Sequence, residues 1–88
     1  MSSEKMDVPL EVLLERDLIN TYGPMVSNDA LRLVLGYASK EAFRQALVRK
    51  TIPVPVFTIE NRRGKFALSK DVAHWLAKQR ASAIDKTK

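Results

Sequence analysis

Two prolines two residues apart, in the stretch TIPVPV at 51–56, constrain this 88-residue chain more than any other feature. Each removes a backbone donor and pushes the residue before it into extended geometry, so no helix can run through them. The chain is thereby divided into a front part with helical periodicity and a back part that resumes with short apolar, β-branched runs.

On the front side, residues 9–22 predict an amphipathic helix, with Pro9 in its first turn and Gly23-Pro24 ending it. Leu10, Leu13, Leu14 and Leu18 form one stripe, which Val12, Ile19 and Tyr22 widen. So much apolar surface needs cover, from the rest of the chain or from a second chain. A second helix follows: Ser27 is its N-cap, Asp29 lies in the positive first turn, Val26 and Leu31 occupy the staple positions, and Gly36 closes it. Ala30, Leu31, Val34 and Leu35 then face inward and Arg32 faces solvent. After Tyr37 and Ala38, Ser39 caps a third helix that runs to about Lys50. Phe43, Ala46 and Leu47 have the spacing of its buried face, leaving Lys40, Glu41, Arg44, Gln45, Val48 and Arg49 outward. Two short helices around a Gly-containing turn make a helix-turn-helix candidate.

Beyond the prolines, VFTIE and FAL read as two strands of a hairpin, Phe57 and Ile59 alternating with Phe66 and Leu68. The five residues between them, 61–65, form its loop, with Gly64 at a positive φ and Asn61 in the turn. Arg62, Arg63 and Lys65 therefore crowd onto one tip. Ser69 caps a last helix, with Asp71 in its first turn, Lys78 and Arg80 near its negative end, and Val72, Trp75, Leu76 and Gln79 on one side. Trp75 is the expected core anchor.

The net charge of +5 is unevenly spread. Residues 1–36 hold three cations against six anions, and residues 37–88 hold 12 against 4, so the halves carry −3 and +8. A basic second part concentrates phosphate-bearing partners. With no cysteine there is neither a disulfide framework nor a thiolate zinc site, and the residue set calls for no metal or cofactor. Polar residues at the start and the lack of a long apolar run lead to the expectation of a soluble, cytoplasmic protein without a membrane partner. The one histidine, His74, has no cysteine nucleophile or serine elbow to serve, so no catalytic residue is expected and the chain does not read as an enzyme.

A DNA-binding reading uses these features together. The major groove admits one α-helix, where Arg suits guanine, Gln suits adenine and Glu can accept from cytosine. A basic hairpin from the same domain can lie along the neighbouring backbone or minor groove. The order of elements, and the closing LSKDVAHWL, resembles the excisionase-like and MerR-like winged-helix family over about residues 25–76. The segment LVLGYASKEAFRQAL resembles the family's turn and recognition helix, with Gly36, Tyr37, Ser39 and Phe43 at matching places, and IPVPV resembles the proline-rich crossover of phage excisionases. The resemblance implies a mainly α fold with a small β-hairpin, a winged helix-turn-helix at 25–82; the residues themselves place an amphipathic helix before it at 9–24 and flexible ends at 1–8 and 83–88.

The recognition-helix set is then Ser39, Lys40, Glu41, Arg44, Gln45 and Arg49; the wing set is Arg62, Arg63 and Lys65, turned by Asn61 and Gly64. The function implied is sequence-specific binding of double-stranded DNA, by a transcriptional regulator or a recombination directionality factor of a phage or mobile element. Such a chain would act as a homodimer or cooperative array, with residues 9–22 available to a recombinase or another protein. The competing readings are a protein-interaction adaptor that recruits a partner through that helix, and the recognition module of a DNA-packaging complex.

Overall fold

The computed structural model describes residues 8–86. The expected flexible ends fall partly outside this range, at 1–7 and 87–88. The elements are α1 (Leu10–Tyr22), β1 (Met25–Ser27), α2 (Asn28–Leu35), α3 (Lys40–Arg49), β2 (Phe66–Leu68) and α4 (Ser69–Lys86). The fold is mainly helical, with a small two-stranded antiparallel sheet among the described residues.

Helix α1 starts where the sequence places it. The amides of Val12 and Leu13 donate to the Pro9 carbonyl at 3.0 and 3.2 Å, and the Gly23 amide closes the helix on Ile19 O at 2.8 Å. It packs against α4. Leu18 is buried and Leu14 is half-buried against the core, while Val12, Leu13, Ile19 and Tyr22 stay substantially exposed. Cover for the apolar stripe thus comes from the chain itself on one side of the helix only. The carboxylate of Glu11 meets His74 Nδ1 across this contact at 3.0 Å.

Between α2 and α3 the chain reverses at Gly36, whose φ of 91° lies in the left-handed region that a Cβ disfavours. The Tyr37 amide reaches back to Arg32 O at 3.0 Å. Arg32 corrects the expectation that it faces solvent: its side chain is only 15% exposed, and Nη1 donates to Tyr37 O at 3.0 Å. The long guanidinium side chain reaches past the end of α2 to a carbonyl of the turn that follows, so its methylenes are drawn in over the protein instead of into solvent. Tyr37 and Phe43 then meet with ring centroids 5.6 Å apart, fixing α3 against the turn.

The sheet departs from the expected hairpin. β2 pairs with β1, in the register Met25↔Leu68, Val26↔Ala67 and Ser27↔Phe66. On its other edge it meets the 57–59 run only through Phe57 and Phe66, which exchange backbone hydrogen bonds of 2.8 and 2.9 Å and stack at 6.2 Å. The expected two-stranded hairpin is therefore reduced to a single bridge at Phe57, and the loop it closes spans 58–65 rather than 61–65. The physical reason lies at both edges. Val26 and Ala67 are both fully buried at the middle of the β1–β2 pair, so one register buries both side chains, whereas Ile59 O turns away to accept the Arg62 amide at 3.0 Å.

Two further corrections concern α4. Ser69 is completely buried, and its hydroxyl donates to Gly23 O at 2.7 Å instead of capping the helix it opens. The helix also continues through 83–86, where fraying is expected, because Ala81 and Ala83 favour helix and neither Gly nor Pro interrupts the run. Its buried face is Val72 and Ala73, with Trp75 and Leu76 half-buried on the core, whereas Gln79 is exposed. Val54, between the two prolines, is buried, so the stiff segment 51–56 packs into the core rather than merely spanning it.

Candidate nucleic-acid interface

Helix α3 is set by its cap and its inner face. The Ala42 amide donates to Ser39 Oγ at 3.1 Å, and Phe43 and Ala46 are buried. This rotation turns Lys40, Glu41, Arg44, Gln45, Val48 and Arg49 outward, all exposed, as the spacing predicts. The outer face is organised by Glu41. Its carboxylate accepts from Arg44 Nε at 3.2 Å, from Arg44 Nη2, and from Gln45 Nε2 at 3.3 Å. The Arg44 hydrogen bonds, followed by that of Gln45 and the Arg44 charge, hold the Glu41 carboxyl below its ordinary value, and the same pairing raises that of Arg44.

This clasp has a chemical consequence. It occupies the Nε/Nη2 side of the guanidinium and leaves the terminal Nη1/Nη2 edge facing out, which still presents two parallel donors. Gln45 retains its carbonyl and its second amide proton, the pair that an adenine N6/N7 edge requires. Sequence reasoning offered Glu41 as a possible base contact; its geometry makes it the residue that orients two others.

The loop at 58–65 carries the remaining candidates. Asn61 stands at φ 64° and Gly64 at φ 103°, so both turn residues have the positive φ that such a tip requires. Arg62, Arg63 and Lys65 are exposed. The loop is tied to the start of α2: the Asn28 amide donates to Lys65 O at 3.1 Å, and Lys65 N–H donates to Asn28 Oδ1 at 3.3 Å. A Cβ on Gly64 would collide with the Asn28 carboxamide, so glycine there serves close approach as well as φ.

Two contributors were missed from sequence. Asn28 reads as an ordinary helix-start residue, and only its φ of 51°, coupled to a loop 37 residues away, reveals it as an anchor. Lys50 takes the left-handed position that ends α3, at φ 60°. Together with Lys65 and Thr58 it rims a cleft of about 550 Å³ floored by Leu47, Ile52, Val56 and Phe57. The cleft joins the end of α3 to the basic loop, and the preference of a helix terminus for a following cation was the available signal for Lys50.

Trp75 and His74 line a smaller hollow of about 190 Å³ with Pro53, Pro55 and Asp71, on the α4 side. Trp75 is thus half core anchor and half wall. Among the described residues, no group of three or more His, Asp or Glu side chains is placed to hold a metal ion, and no helix is long and apolar enough to cross a membrane. Compared with protein-family models, with curated proteins and with solved structures, the chain has no match.

Proposed function

We propose that this protein is a sequence-specific, non-enzymatic DNA-binding protein of winged helix-turn-helix type, serving a mobile element or phage as a transcriptional regulator or as an excisionase. In this reading α3 enters the major groove and the 58–65 loop acts as a wing on the adjacent backbone or groove. The observation that carries it is the joining of two polar surfaces in one body. The Arg44–Glu41–Gln45 clasp presents groups suited to guanine and adenine, and the Asn28–Lys65 bonds hold the basic loop to α2, the helix that precedes the reader.

A single copy this small makes few base contacts, so useful specificity calls for a dimer or a cooperative array. Hydroxyl-radical footprinting on native flanking DNA tests the reading. Protection of a defined site with a flanking backbone footprint supports it, and uniform weak protection without a preferred site contradicts it. An inverted repeat over a promoter would identify a regulator; tandem bent sites beside an attachment site would identify an excisionase.

The exposed side of α1 favours one second reading, an adaptor that docks another protein. Val12 and Ile19, about 40% exposed, line a shallow groove with Glu15, Arg16 and Asn20. Val12→Ser together with Ile19→Ser separates the two: unchanged DNA affinity with loss of a bound protein supports the adaptor, and loss of cooperative DNA binding supports an assembly role for this face.

A further inference from the structure

Val48 is 72% exposed, more than any other large hydrophobic side chain of the described residues. It stands on the outer face of α3, three residues after Gln45 and four after Arg44, and therefore beside both on the helix surface. Among the described residues it belongs neither to the core nor to the apolar side chains packed against it. Its inner neighbours Ala46 and Leu47 face the core, a β-branched residue is a poorer helix former than the Lys, Arg, Glu and Gln around it, and an apolar side chain among cations adds nothing to solubility.

The edge of a base pair in the major groove carries one apolar group, the C5 methyl of thymine. We infer that Val48 is a specificity-determining residue that packs on this methyl, in the A·T pair read by Gln45 or in the step beside it. The inference rests on the DNA reading above. Gln45 and Val48 are both exposed and lie three residues apart on one face of α3, and the Glu41 bond leaves the Gln45 carbonyl and one amide proton free, so a groove that receives this face meets the amide and the Val48 methyls together. An adenine offers N6 and N7 to the amide, and its partner thymine offers the methyl on the same groove floor. Burying one methyl against another removes about one methylene-equivalent of apolar surface from water, which corresponds to roughly fourfold in affinity.

The test uses the full chain and a binding site selected from a pool of random duplexes. Each thymine of that site is replaced singly by uracil, which deletes only the methyl, and affinities are compared for the wild type and for Val48→Ala. The expected result is one uracil position that weakens wild-type binding about fourfold and leaves Val48→Ala binding unchanged. Replacing a cytosine by 5-methylcytosine in a duplex with C·G at that position should recover part of the loss for the wild type alone. If no uracil position separates the two proteins while a preferred site exists, the methyl contact is overturned and the DNA reading stands. If selection yields no preferred site, the DNA reading falls and this inference falls with it. Circular dichroism of Val48→Ala guards the comparison, since an exposed Val-to-Ala change in a helix leaves the fold intact.

Discussion

Asn28 and Lys65, 37 residues apart, exchange two hydrogen bonds, Asn28 N–H to Lys65 O at 3.1 Å and Lys65 N–H to Asn28 Oδ1 at 3.3 Å. Asn28 can do this because it sits at φ 51°, where its backbone and carboxamide point at the loop together, a conformation that asparagine tolerates better than most residues. Asn28→Ala removes one hydrogen bond and places a Cβ-bearing residue without that compensation in the left-handed region. It should destabilise the fold by about 1–3 kcal/mol. Urea unfolding measures the loss, and proton exchange at the Lys65 amide should rise well beyond the global change.

Gly64 answers to the same neighbour. Gly64→Ala meets both the positive φ and the Asn28 carboxamide, and should cost about 1–3 kcal/mol. In a cycle with Asn28→Ala the collision disappears while the φ strain persists. The double variant should therefore lose less than the sum of the two singles, by about 0.5 kcal/mol or more. Additivity would show that the carboxamide is not what crowds residue 64.

Ser69 is fully buried and donates to Gly23 O at 2.7 Å, joining the start of α4 to the end of α1. Ser69→Ala leaves that carbonyl without its donor and should lower stability by about 1–3 kcal/mol. Thermal unfolding checks this, with loss of helix packing between α1 and α4 expected before loss at α3.

The Glu41 clasp predicts a pH dependence. Its folded carboxyl value lies below the ordinary value of 4.5 because Arg44 and Gln45 bond the charged form. A depressed acid contributes its stabilisation above the unfolded value and loses it as pH falls through the folded value, so the clasp persists at neutral pH and opens only in acid below the ordinary glutamate range. A carbon-detected titration of the Glu41 carboxyl should show the low midpoint, with the Gln45 amide resonances moving in step. On DNA, Glu41→Ala should blur discrimination at the positions read by Arg44 and Gln45, at up to about 1–3 kcal/mol per lost base contact, and leave non-specific binding no weaker.

How much of this could be read from sequence follows physical range. The ends of α1 and α3 were legible because their signals are local: Pro9 and Gly23 bracket one helix, and Ser39 caps the other with its own hydroxyl. The outer face of α3 was legible from spacing alone, since Phe43 and Ala46 fix the rotation. Met25–Ser27 was not legible as a strand. Three residues are too few to display alternation, and the strand exists because β2 offers it an edge about 40 residues later, a relationship that no local window contains. Arg32 failed for a similar reason: its direction is decided by the Tyr37 carbonyl, not by its position on the helix wheel.

In the proposed binding mode the basic loop and α3 act on one polyanion, and the salt dependence of binding tests that most directly. Phosphate contacts release counterions, so log affinity falls with log salt by about 0.9 per contact on duplex DNA. Arg62→Gln, Arg63→Gln and Lys65→Gln combined should flatten the slope by about 2–3 and weaken binding on every sequence alike, while Gln45→Ala should change the preferred site and leave the slope in place. A triple variant with the wild-type slope would contradict the loop as a phosphate clamp, and with it the central claim.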